Sequence, residues 1–93
     1  MPGYGVYVTK TLLDGVLHGS VTNIGIKPTF GDEKRPTVET YILDFDRNIY
    51  GKDIEVFFLK RLREEMKFGS VDDLVAQMKE DVQRAREYLA VNG

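Results

Sequence analysis

The sequence predicts a mostly β domain that ends in one α-helix, with the strands forming an antiparallel sheet or small barrel. Three observations carry that expectation. Short β-prone segments recur between turn residues over the first two thirds of the chain. The apolar pattern changes once, near Gly69, from alternating to helical. At 93 residues there is room for one small domain, and such a chain buries roughly 60–65% of its unfolded surface, so its core is thin. Residues 1–68 form the expected sheet part and 70–91 the expected helix.

Each element has a local cause. Gly5 to Leu13 contains Val6, Tyr7, Val8 and Thr9, which suit a half-buried pleated surface. Asp14-Gly15 is a hairpin turn of the type I′ kind, whose geometry matches strand twist. Leu17 to Ile24 returns as the second strand. Gly25 to Pro36, with two prolines and the charge run Asp32-Glu33-Lys34-Arg35, is expected to be a loop. Thr37 to Phe45 is the third strand, Asp46 to Gly51 a turn, and Asp53 to Leu62 the fourth strand. Val71, Leu74, Val75, Met78, Val82, Ala85 and Leu89 then keep helical spacing, giving a stripe expected to pack on the sheet. Ser70 is the expected N-cap, Asp73 holds the capping-box position, and Asp72 and Asp73 complement the helix N-terminus.

Composition excludes several functions. Cysteine is absent, so there is no disulfide framework and no thiolate metal site. A single histidine, His18, rules out a multi-histidine metal site and has no partner set for nucleophilic catalysis. No apolar run approaches the ~18 residues of a membrane span, and no leader-like segment opens the chain. Thirteen basic against fifteen acidic residues give a net charge of −2, so no positive field points to nucleic acid. From Ser70 onward five acids face three bases, which places that whole net charge on the helix segment as a solvated face. A cytoplasmic-type domain with no nucleic-acid or membrane partner is expected.

The chemistry-bearing residues lie on the third strand and before the helix. Alternation puts Glu39, Tyr41, Leu43 and Phe45 on one face, and Val38, Thr40, Ile42 and Asp44 on the other. Glu39 is thus a carboxylate on an apolar-looking face. Burial there would raise its pKa toward that of a general base; a wet face would instead leave it pairing with a nearby Lys or Arg. Arg61, Arg63, Lys67 and Phe68 form a basic and aromatic cluster, suited either to an anion or planar ring, or to a solvated strand end. Gly25 to Gly31 only faintly resembles a phosphate loop, lacking both Walker and G-x-G-x-x-G spacing.

Taken in order, the motifs resemble one family. Gly5-Val6-Tyr7, Thr22-Asn23-Ile24-Gly25, Lys27-Pro28-Thr29-Phe30 and Glu39-Thr40-Tyr41-Ile42-Leu43-Asp44-Phe45 are followed by Ile49-Tyr50-Gly51, Leu62-Arg63-Glu64-Glu65, Lys67-Phe68 and Ser70-Val71. This series is similar to the riboflavin kinase domain, the C-terminal half of bacterial bifunctional riboflavin kinase/FAD synthetases. The resemblance implies an antiparallel Greek-key barrel with the helix packed against it. It also implies transfer of the ATP γ-phosphoryl group to the riboflavin 5′-hydroxyl, giving FMN, with Mg²⁺ present. Glu39 matches the catalytic glutamate. Arg63, Met66 and Phe68 match flavin-side positions, Met66 standing where relatives often carry lysine. Ile42, Asp44 and Tyr50 match positions near the nucleotide, and no residue is assigned to a metal.

The family usually begins with a further strand, a Gly- and Arg-rich loop and a Pro-Thr-Ala-Asn segment that holds Mg²⁺ and the ATP phosphates. Here Met1-Pro2-Gly3-Tyr4 leads straight into Gly5-Val6-Tyr7. The resemblance therefore implies an incomplete barrel with strand edges open to a second copy; it leaves open whether the parent chain carries an FAD synthetase unit, as bacterial relatives do, or stands alone, as eukaryotic ones do. Two other readings stand beside kinase activity: a flavin- or nucleotide-binding piece without catalysis, and a module that self-associates through its strand edges.

Overall fold

The computed structural model describes residues 3–28, 34–46 and 51–92. Four strands, β1 (Gly5–Leu13), β2 (Val16–Pro28), β3 (Lys34–Ile42) and β4 (Glu55–Arg63), precede the helix α1 (Val71–Asn92). Every strand pairing is antiparallel, in the spatial order β3-β2-β1-β4. Three strands joined in succession, with the fourth returning beside the first, make a Greek key. Among the described residues β3 and β4 are the sheet's two edges, so the sheet is open, as expected of an incomplete barrel.

The first hairpin forms as its turn residues dictate. Asp14 and Gly15 take φ of 50° and 79° between the closing pair Leu13 and Val16, the two positive values a type I′ turn needs. The expected loop from Gly25 to Pro36 is corrected. β2 runs on to Pro28 and β3 already starts at Lys34, with Ile26 opposite Pro36. Pro36 is tolerated because β3 is an edge strand, where a missing N–H breaks no inner ladder. The third strand also stops earlier than expected. Leu43 still donates its N–H to the Gly19 carbonyl at 2.9 Å, and Asp44 then turns left-handed at φ 55°. β4 pairs with β1 through register shifts at Val6/Tyr7 and Val8/Thr9, bulges that increase local twist.

The two sheet faces differ in chemistry. On one, Val6, Val8, Val21 and Leu43 pack with Ala85 of α1, and Leu62, Val82, Tyr88 and Leu89 close around them. On the other, hydroxyls of Thr11, Ser20, Thr9, Thr22 and Thr40 form a chain with successive O···O distances of 2.8, 2.7, 2.9 and 3.0 Å. Thr9, Thr11, Ser20 and Thr22 are fully buried, so their mutual bonding offsets a desolvation cost that would otherwise be large. Tyr7 meets Phe58 edge to face on that side, with centroids 5.2 Å apart.

The helix starts as expected. The Ser70 Oγ accepts the Asp73 N–H at 3.1 Å, and Asp72 and Asp73 occupy the first turn. The apolar stripe does not pack along its whole length. Ala85 is buried and Val82 and Leu89 are half-buried, whereas Val71, Leu74, Val75 and Met78 are exposed. Only the C-terminal half sits on the sheet; the N-terminal half overhangs a gap. No helix among the described residues is long and apolar enough to cross a membrane.

Candidate functional site

The gap beneath the overhanging half of α1 is a cleft of about 630 Å³, within the range of small-molecule sites. β1 and β2 supply its floor with Val6, Val21 and Asn23, and β3 supplies Glu39 and Tyr41 at the rim. The segment between β4 and α1 brings Glu65, Met66 and Phe68, and the helix contributes Leu74, Val75, Met78 and Asp81. β4 ends at Arg63 close above the start of β1. Gly5, at φ 145°, permits this approach, because a Cβ there would lie 2.7 Å from the Arg63 carbonyl oxygen.

Four sequence-predicted residues therefore meet in one place: Glu39, Arg63, Met66 and Phe68. Of the others, Ile42 and Asp44 do not line the cleft. Ile42 is buried at 6% exposure on the opposite sheet face, and Asp44 lies on the turn after β3. Tyr50 lies outside the described residues.

Glu39 is not the buried carboxylate its neighbours suggest. It is exposed, beside an exposed Tyr41. The cause is topological: β3 is an edge, and α1 covers the sheet only near its own C-terminal half. Asn23 stands opposite Glu39 on β2. No hydrogen bond or ion pair engages the Glu39 carboxylate among the described residues, so no Lys or Arg partner is seen for it there.

Arg63 is held firmly. Its Nε and Nη2 donate to the two carboxylate oxygens of Asp81 at 2.8 and 2.7 Å, and its Nη1 donates to the Glu64 carbonyl at 3.0 Å. Gln77 Nε2 donates to the same Asp81 at 3.1 Å. The guanidinium carbon lies 5.9 Å from the Phe68 ring centroid, a cation–π contact. Asp81 is 3% exposed. Removing either partner of so buried a pair strands a charge, at a cost of about 3–5 kcal/mol.

Sequence reasoning missed Asp81, although a signal was there. It sits seven residues after Leu74 and four before Ala85, which puts a carboxylate within the apolar stripe.

Asp44 makes a second, solvent-exposed contact with the helix. Arg86 donates to both its oxygens at 2.7 and 2.9 Å. The hydrogen bonds and charge of Arg86 hold the Asp44 carboxyl below its ordinary range, and the Asp44 hydrogen bonds correspondingly raise Arg86. His18 of β2 is half-buried against the Phe45 ring, with centroids 5.2 Å apart. No group of three or more His, Cys, Asp or Glu side chains suited to a metal ion occurs among the described residues.

Comparison with known proteins bears on this geometry. The family model for flavokinase (riboflavin kinase) matches residues 1–89. A bifunctional riboflavin kinase/FMN adenylyltransferase of Listeria monocytogenes is 39% identical over 90 residues, covering 97% of this chain and 29% of that protein. An RNA-binding riboflavin kinase of Bacillus subtilis is 41% identical over 78 residues, covering 84% of this chain and 34% of that protein. Among solved structures, one described as a macrolide-efflux protein from Streptococcus pneumoniae superposes with a TM-score of 0.83 at 37% identity, over 92% of this chain and 28% of that one. The chain thus spans about a third or less of the length of these relatives.

Proposed function

The chain belongs to the riboflavin kinase family, and from that premise we propose that its cleft binds riboflavin for phosphorylation by ATP. The supporting observation is the convergence of Glu39, Arg63, Met66 and Phe68 from separate elements on one cavity.

In this reading the exposed Glu39 carboxylate takes the proton from the riboflavin 5′-hydroxyl. The freed oxygen bonds to the γ-phosphorus of ATP, the bond from that phosphorus to the β,γ-bridging oxygen breaks, and ADP leaves with FMN as product. Such transfers depend mainly on positioning and charge neutralisation. ATP enters as its magnesium complex, with Mg²⁺ brought by the phosphates. Phe68, Met66 and the helix residues Leu74 and Met78 give apolar walls to the flavin ring, and Arg63 a polar edge. Ile42, Asp44 and Tyr50 serve the nucleotide side. A kinase of this kind acts in the cytosol and would supply FMN to an adenylyltransferase unit such as its bifunctional relatives are named for.

One observation favours a second reading, flavin binding without transfer. No glycine lines the cleft among the described residues, so none of them supplies there the glycine-rich backbone that commonly cradles phosphates. One experiment separates the two. Riboflavin fluorescence is titrated with the chain, and FMN formation is then measured with MgATP. Saturable quenching together with FMN supports the kinase. Saturable quenching without FMN supports binding alone, and no quenching by the folded chain overturns both.

A further inference from the structure

Arg63 spends more of its hydrogen-bonding capacity on the protein than a ligand-binding arginine needs to. A guanidinium has five N–H groups. Two go to Asp81 and one to the Glu64 carbonyl, which leaves one on Nη1 and one on Nη2. Asp81 is itself fixed by Gln77, and the Phe68 ring lies 5.9 Å from the guanidinium carbon. The side chain is therefore confined to one orientation, and its charge is opposed by a carboxylate 2.7 Å away.

We infer that Asp81 is a positioning residue that sets how the cleft discriminates riboflavin from its phosphorylated product. This rests on the flavin reading above and adds to it. Riboflavin carries no phosphate, whereas FMN carries a phosphate monoester of about −1.5 to −2 charge at pH 7. From the ring end of the flavin, an unopposed arginine would make the whole cleft more positive, favour the anionic product over the neutral substrate through space and slow product release, a common limit on turnover. With Asp81 in place, Arg63 offers two oriented donors without a free positive charge. Asp81 does this through Arg63 and touches no reacting atom.

The test is a pair of fluorescence titrations, riboflavin and FMN, on the wild-type chain and its variants, with circular dichroism confirming folding. Asp81→Asn keeps the side-chain volume and removes the charge. It shifts the affinity ratio toward FMN on the order of tenfold. Asp81→Glu restores the wild-type ratio, and Asp81→Asn in an Arg63→Ala background produces no shift, because no cation is left to unmask. If Asp81→Asn does not fold, Gln77→Glu takes its place. It adds negative charge beside the pair from a half-buried position, and moves the ratio away from FMN by about threefold. Equal weakening of both flavins in a folded variant, or a shift that persists without Arg63, overturns the inference. A wild-type chain that binds neither flavin overturns the flavin reading and this inference together. An unchanged ratio on top of normal wild-type binding overturns this inference alone.

Discussion

Glu39→Gln separates catalysis from folding. The Glu39 side chain is exposed and makes no hydrogen bond or ion pair among the described residues. Exchanging its carboxylate for an amide of the same shape removes no packing, and surface changes of this kind stay within about 0.5 kcal/mol of wild type. For a domain of this size that is at most about 2–4 °C in Tm. Flavin affinity changes less than about twofold, because in the proposed binding mode ring and donor contacts are assigned to the cleft-lining Phe68 and Arg63. The chemical step behaves differently. A positioned general base contributes about 10²–10⁴ in rate, or roughly 2.7–5.5 kcal/mol of barrier. The assay is FMN formation from riboflavin and MgATP, followed by chromatography, beside a thermal melt and a riboflavin titration of the same variant. Turnover within threefold of wild type would refute the base role, and a large drop in Tm would refute the reading of Glu39 as free of structural duty.

Three further outcomes test the scaffold. Gly19→Ala places a Cβ 2.7 Å from the Leu89 Cδ1; the helix or the Leu89 rotamer gives way, costing about 1–3 kcal/mol, seen as a lowered Tm. Thr22→Val removes the hydroxyl that joins Thr9 to Thr40 and leaves buried partners short of a bond, worth about 1–3 kcal/mol in a urea melt. Asp44→Asn tests the pH dependence. The folded-state pKa of Asp44 lies below its ordinary 3.8, so the pair's stabilisation is complete above that value and is lost as pH falls through the lowered one. Melts of variant and wild type differ at neutral pH, converge in strong acid and converge also in high salt; a constant difference across pH refutes the ion pair.

Much of the fold is local and therefore legible. β1 spans Gly5–Leu13 as its composition predicts, Asp14-Gly15 makes its turn, and Ser70 caps α1. Failures occur where a neighbour decides. Pro28 and Pro36 signal a loop, yet Pro36 lies in a strand because its position at an edge makes the missing donor harmless. Alternation correctly puts Glu39 and Tyr41 on one face, but the pattern does not say how far α1 covers that face: it covers Leu43 and leaves Glu39 and Tyr41 exposed. The helical stripe is right as a pattern and wrong as a buried surface over its first half. Asp81 shows the converse: a charged residue on the apolar stripe looks like an interruption until its partner is seen.

The sequence by itself determines the order and type of the elements, the first turn, the helix cap and the family, because these depend on residues a few positions apart or on motif order. Tertiary structure alone decides that β4 returns beside β1, and that α1 seats through Ala85 while Leu74, Val75 and Met78 overhang. It also decides that Arg63 meets Asp81, 18 residues later in the chain, and that both share a cleft with Glu39 of β3. Those facts follow from which surfaces find partners across the sheet. Periodicity shows that a face is apolar, but only the packed chain decides whether that face becomes core or the wall of a binding site.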